Sequence, residues 1–303
     1  TYGFDVIISC CDGASSNQSF IEMNTGDNSK CSWHNPFTGK PIFFFSDPPH
    51  LIKKLRNNLY SSGHKSEHVR YTRTLLLKEN YILWNHVYAV YQRESKRHLY
   101  VTDLRKAHVT NDSLSKMRVK LAVQTLSEKV EKEMKECDKE ATEETRNYIL
   151  ACATFWNVFN DPTPIRTKTD QRITQLNDIL NYFMTWQEWL SQKFKNKTDQ
   201  AQHFISWQTM TDLKCTINAL KEFLQFINLH EFKAKYGELY VNVKRISQDH
   251  VESYFSAQRQ ICGGTQNMTG YTYGYNINCL IFLFGRIHRG RSGVRNDTCI
   301  NAI

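Results

Sequence analysis

The sequence predicts an α/β chain in which a short sheet core is interrupted by a large all-α segment. Three observations carry this. Two apolar runs near the start, residues 4–11 and 41–45, each stop at turn residues. A long central stretch then repeats its apolar residues every three or four positions. After it, Leu239–Val243 alternates with period two, and a capped helix follows. Few architectures bracket so many helical residues with strands, and a sheet domain carrying a helical insertion does so simply.

The first run, Phe4-Asp-Val-Ile-Ile-Ser-Cys-Cys11, reads as a buried strand closed by Asp12-Gly-Ala-Ser-Ser-Asn17. A polar loop covers 24–40. The second strand, Pro41-Ile-Phe-Phe-Phe45, ends at Ser46-Asp47-Pro48-Pro49, because two prolines forbid a central strand from continuing. Leu51, Leu55 and Leu59 then begin a helix, with Lys53, Lys54 and Arg56 beside them, and residues 74–90 carry a further apolar stretch. In 113–150, Val119, Val123, Leu126, Val130, Met134 and Cys137 fall on one stripe, which predicts a single long helix. Asp161-Pro-Thr-Pro-Ile165 breaks the pattern. Two more stripes follow, Leu176, Ile179, Phe183, Trp186, Leu190 and Leu213, Ile217, Leu220, Leu224, Ile227. Ser247 is placed to cap a helix over Gln248–Phe255, residues 263–276 read as a Gly-, Asn- and Tyr-rich loop, and an apolar element with a basic tail closes the chain.

With 303 residues, 40% apolar and 23% charged, the chain has the composition of a folded protein of one large or two ordinary domains. No apolar run approaches eighteen residues, so no membrane span is expected. The net charge of +9 points to a polyanionic partner. Nine cysteines include no C-x-x-C pair, which argues for reduced, mostly buried thiols rather than zinc or a disulfide framework. P-loop, G-x-S-x-G and H-E-x-x-H signatures are absent.

Candidate chemistry rests on acids at element ends. Asp12 terminates a strand, where a rigid backbone presents a carboxylate suited to a hard divalent cation; its other role there is to start an Asx turn. Asp47 is placed similarly and is equally a turn cap. Glu252 lies in the first turns of a helix, with Asp249 and Arg259 on the same side. Together Asp12 and Glu252 supply two acids of the kind that two-metal phosphoryl transfer requires.

Three stretches, Ile7-Ser-Cys-Cys-Asp-Gly-Ala-Ser-Ser-Asn17, Phe45-Ser-Asp-Pro-Pro-His-Leu-Ile-Lys-Lys-Leu-Arg-Asn-Asn-Leu59 and Ser247-Gln-Asp-His-Val-Glu-Ser-Tyr-Phe-Ser-Ala-Gln-Arg259, together with Lys116–Gln124 and Gly263-Gly264, resemble the P-element transposase family and its THAP-domain relatives. The resemblance runs from about residue 4 to about residue 284. It implies an RNase H-like domain of the retroviral-integrase type, in two parts (1–47 and 239–303), split by a helical GTP-binding insertion (48–238). It further implies an Asp-Asp-Glu set holding Mg²⁺ or Mn²⁺ for DNA strand cleavage and transfer. Two of those acids are Asp12 and Glu252; the first Asp of the pattern is expected upstream of Thr1, which makes the chain an N-terminally truncated core. Asp47 ranks below Asp12.

For GTP the resemblance points to Arg118, Val119, Asp161 and Asp249. Asp103 stands where the pattern carries Lys, and the Phe159-Asn-Asp-Pro-Thr163 stretch departs from it, so GTP binding is expected to be weakened. Lys53, Lys54, Arg56, Arg286, Arg289 and Arg291 are candidate contacts to DNA phosphates, at transposon ends and target DNA. A nuclear location and a homo-oligomer are the accompanying expectations. The alternative is a domesticated transposase that keeps DNA or protein contacts without catalysis.

Overall fold

A computed structural model describes residues 5–26, 30–64, 71–97, 100–110, 112–264, 267 and 269–277. The chain divides into a first compact unit reaching to Ile246 and a second beginning at Ser247.

The first unit opens with β1 (Ile8–Cys11), α1 (Ser15–Thr25), β2 (Ser32–His34) and β3 (Pro41–Ser46). β3 is central: β1 pairs with it in parallel and β2 antiparallel, in the order β1-β3-β2. Parallel neighbours require a crossover, and α1 occupies it; the sequence had predicted a turn over 12–17 and a polar loop from 24, and no helix between them. α2 (Pro48–Tyr60) follows β3 at once. Its start is set by chemistry: Asp47 Oδ2 accepts from the His50 backbone N–H at 3.0 Å, and both prolines sit in the first turn, where missing N–H groups cost nothing. Its Leu51, Leu55 and Leu59 are fully buried, as their spacing predicts.

The segment expected to be all-helical contains a β-hairpin, β4 (Leu75–Leu77) and β5 (Asn80–Ile82). Its two-residue turn, Lys78-Glu79, has φ of 47° and 67°. Both values lie in the left-handed region that the right-handed strand twist favours at such turns, although neither residue is Gly or Asn, which hid the turn in the sequence. Helices α3 (Trp84–Arg97) and α4 (Lys106–Thr110) come next.

The single helix expected over 113–150 is four: α5 (Ser113–Met117), α6 (Val119–Thr125), α7 (Glu128–Cys137) and α8 (Glu143–Asn160). Local side chains divide it. Asp112 caps α5, Ser127 caps α7 through the Val130 N–H, and the Asp138 carboxylate accepts from the Glu140 and Ala141 backbone in the bend before α8. The apolar stripe survives in part: Leu126, Val130 and Met134 are buried, whereas Cys137 is exposed.

Helices α9 (Gln171–Lys193), α10 (Lys197–His203), α11 (Trp207–Ile227) and α12 (His230–Tyr236) complete the block, and every residue of the two predicted stripes on α9 and α11 is buried. Leu239, Val241 and Val243 are buried too, so their alternation was real. They form only a bridge, Ile165 to Val241, followed by a 3₁₀ turn over Val243–Arg245, because the strand has no further partner among the described residues. One core runs through sheet and helices. Phe43 packs on Phe223, Trp186 Nε1 donates to the Leu76 carbonyl at 2.7 Å, and the buried Tyr148 hydroxyl donates to the Leu55 carbonyl at 2.8 Å.

The second unit carries α13 (Asp249–Ile261), with the Ser247 hydroxyl accepting from the Asp249 N–H at 3.1 Å. Part of the expected 263–276 loop is helical, residues 270–277, with the Thr269 hydroxyl accepting from the Thr272 N–H. The apolar run Cys279–Phe284 and the basic tail lie outside the described residues. No helix among the described residues is long and apolar enough to cross a membrane. Seven of the cysteines are described, all as free thiols; Cys31, Cys152 and Cys215 are buried.

Two histidines make the fold pH-sensitive. The His108 Nδ1 accepts the Arg105 N–H at 3.0 Å and Nε2 faces the Gln124 side-chain oxygen at 3.1 Å, an arrangement open only to the neutral ring. Burial lowers the pKa of both His108 and His86. The unfolded chain therefore takes up protons first as pH falls through about 6.5, so stability is full above that pH and is lost below it. The denaturant midpoint is expected to fall between pH 7.5 and 5.5, and a His86→Gln/His108→Gln variant is expected to show a flatter pH dependence in the same titration.

Candidate active site

The parallel register sets Cys11 opposite Ser46, so the next residues, Asp12 and Asp47, lie at the carboxyl ends of adjacent strands, joined by the Asp47 N–H donating to the Cys11 carbonyl at 2.7 Å. This rim is where ligands bind in open α/β sheets. The two acids differ in their commitments. Asp47 is 2% exposed and holds the start of α2, with His50 Nδ1 at 3.6 Å. Asp12 is half-buried, and its Oδ1 accepts from the Ala14 N–H and from Asn17 Nδ2, both at 2.9 Å. The Ala14 N–H is the main cause of a lowered Asp12 pKa; Asn17 and the nearby His50 and Lys54 add to it. The Asx turn and a charged strand-end carboxylate, alternatives in the sequence, coexist here.

Residues of α11 that the sequence pattern did not single out complete the rim. Asp212, on the inner face of α11 and 4% exposed, accepts Lys54 Nζ at 2.7 Å and the Ser46 hydroxyl at 3.1 Å. Lys54 also donates to the Asp12 carbonyl at 3.3 Å. Thr216, one turn on from Asp212, accepts the Ser46 N–H at 3.0 Å, and Thr209, one turn before it, accepts from Asn58 Nδ2 at 3.1 Å. A polar strip at helical spacing, Thr209, Asp212 and Thr216, thus runs along an otherwise apolar face, and it was the available signal.

The remaining candidates separate. Arg56 is fully buried and its guanidinium donates to the carbonyls of Ser115 and Lys116 at 3.1 and 3.0 Å; burial lowers its pKa to about 10. It ties α2 to α5, which corrects its assignment to DNA. Lys54 is likewise engaged at the rim, while Lys53 is half-buried on α2. Arg286, Arg289 and Arg291 lie outside the described residues. Arg118 is exposed at the junction of α5 and α6, and Val119 starts α6 half-buried. Asp161 ends α8, accepting from the Thr163 N–H at 2.8 Å and from Arg172 at 3.0 Å; the Thr163 N–H chiefly lowers its pKa. No hydrogen bond or ion pair among the described residues joins Arg118 to Asp161. Asp103 faces Lys129 at 3.4 Å. Glu252 and Asp249 lie in the first turn of α13, in the second unit, and both are exposed.

The donor chemistry at Asp12, an ionised oxygen ligand on a rigid strand end, fits a hard divalent cation. It is one ligand, and the described residues contain no group of three or more His, Cys, Asp or Glu able to hold a metal.

Residues 49–168 match the family model described as the TNP-like, GTP-binding insertion domain. Over 288 residues the chain is 22% identical to the transposable element P transposase of Drosophila melanogaster, covering 91% of this chain and 35% of that protein. In fold it follows a chain of the Drosophila P element transposase strand transfer complex, with a TM-score of 0.72, 21% identity, and coverage of 92% of this chain and 61% of that one. These three similarities support a relation to the P-element transposase family. It spans about a third of the length of the curated transposase it matches. The matched insertion domain begins within the first turn of α2, just after Asp47, and takes in Arg118, Val119 and Asp161.

Gly13 is required at the rim on two counts. Its φ is +71°, and a Cβ there would lie 2.6 Å from Lys54 Nζ and 2.9 Å from Asp212 Oδ2. Gly13→Ala is expected to cost about 1–3 kcal/mol in denaturant unfolding, from backbone strain and displacement of the ion pair. An unchanged midpoint would remove the close approach.

Proposed function

We propose that this chain is the catalytic-core portion of a P-element-like DNA transposase, built on an RNase H-like domain, that cuts and joins DNA strands in its intact parent. The observation that carries the reading is the charged Asp12 carboxylate at the carboxyl end of β1, in the sheet that precedes the segment matching the TNP-like insertion domain. The family resemblance assigns the metal-ligating acids of this reading to Asp12, Glu252 and a further Asp of the parent.

When bound, Mg²⁺ or Mn²⁺ supplies activation of water or a DNA 3′-hydroxyl and neutralises charge at phosphorus. The residues of this chain supply the setting. The Ala14 N–H and Asn17 keep Asp12 charged, and Lys54 fixes the strand end through the Asp12 carbonyl. The basic surplus, with Lys53 and the Arg-rich tail (Arg286, Arg289, Arg291), meets phosphates without reading sequence. Assembly as a homo-oligomer on transposon ends and action in the nucleus belong to the same reading. In the insertion, Arg118, Val119 and Asp161, with Asp249, are the proposed GTP contacts, weakened by the negative charge of Asp103.

The test uses the intact parent with a transposon-end substrate in Mg²⁺. Asp12→Asn and Glu252→Gln are each expected to lower strand cleavage by about 10³-fold or more, with DNA retention on a gel unchanged. Cleavage that survives Glu252→Ala would overturn the site. A wild-type parent that retains DNA yet never cleaves it would leave the binding-module alternative in its place.

A further inference from the structure

A second site lies in the groove formed by α9, α10 and α11. It is a cavity of about 580 Å³, lined by three cations, Arg73, Lys197 and Lys214, and by no carboxylate among the described residues. That volume is in the range of small-ligand pockets. Of these residues only Arg73 falls within the matched insertion domain, so the groove is distinct from the proposed GTP contacts, and it does not depend on the transposase reading.

The three cations are held differently. The Arg73 guanidinium is fixed by donating to the Phe204 carbonyl at 2.9 Å. The side chains of Lys197, exposed at the start of α10, and Lys214, half-buried on α11, make no ion pair or hydrogen bond among the described residues. Three like charges converging on one concave surface repel one another and raise the local potential, a cost that an anion occupying the groove removes. The wall is not only cationic. Trp207 stands seven residues before Lys214, on the same face of α11, and is 60% exposed, while Phe204 and Met210 form a buried apolar floor. A large exposed aromatic beside cations is suited to stacking a planar ring, a contact worth about 1–3 kcal/mol for a nucleic-acid base. An inorganic anion would leave Trp207 unused, and an apolar ligand would leave the lysines unused.

We propose that this groove binds a nucleotide unit, its phosphate against Lys197 and Lys214 and its base against Trp207. That chemistry has two sources, a free mononucleotide or one nucleotide of a single DNA strand. The experiment uses the full chain and two probes at low salt, AMP and a 5′-phosphorylated single-stranded tetranucleotide, with adenosine as the uncharged control and calorimetry as the readout. At least one probe is expected to bind saturably: AMP if the ligand is free, the tetranucleotide alone if the groove takes a strand. Lys197→Gln and Lys214→Gln are each expected to weaken that binding about tenfold, and Trp207→Ala by a similar factor. Arg118→Ala is expected to leave it unchanged, which separates this site from the insertion's. All four side chains are at least partly exposed, so the melting temperature is expected to hold. Absence of saturable binding by either probe, adenosine binding as tightly as AMP, lysine variants of unaltered affinity, or an equal loss in Arg118→Ala would each overturn the proposal.

Discussion

The architecture of the first unit turns on one partly buried ion pair, Lys54 with Asp212. Asp212 is almost fully removed from water on the inner face of α11, and a carboxylate there is stable only if its oxygens are met. Lys54 meets one and Ser46 the other, from α2 and β3 respectively. The same ammonium reaches the main chain of Asp12 at the end of β1. One charge pair thus gathers the ends of both parallel strands and two helices, one on each side of the chain's central block, and fixes the backbone from which the Asp12 carboxylate projects.

This arrangement explains how a three-stranded sheet of short strands supports a precise rim. The strands alone have few ladder bonds, and a sheet of this size depends on helices for burial. α11 supplies apolar cover through Phe223 against Phe43 and polar fixing through Thr216 against Ser46, and α2 starts on the Asp47 cap directly after β3. A helix reached only after the residues of the matched insertion domain therefore completes the sheet that precedes it.

Legibility in the sequence followed element length and the range of the deciding contacts. α2, α9 and α11 were readable because long apolar stripes report burial directly, and every predicted stripe residue on them is buried. β1 and β3 were readable from runs cut by Asp-Gly and Pro-Pro. The hairpin was not, because Lys78-Glu79 adopts a backbone its residue types do not advertise; nor was the division of 113–150, since the cap at Ser127 and the bend at Asp138 break the helix without breaking the spacing of its apolar residues. At the rim, Asp12 was legible from its place at a strand end. Asp212 was not, because its meaning depends on a lysine 158 positions away. Arg56 misled for the same reason: beside Lys53 and Lys54 it reads as part of a basic face, and only the fold reveals that the Ser115 and Lys116 carbonyls claim it.

A double-mutant cycle on Lys54→Met and Asp212→Asn, followed by guanidinium unfolding, tests this account most directly. A coupling of about 1–3 kcal/mol is expected, with the double variant losing less than the sum of the single variants. Strictly additive losses would contradict it, and the strand rim would then have to be held by packing alone.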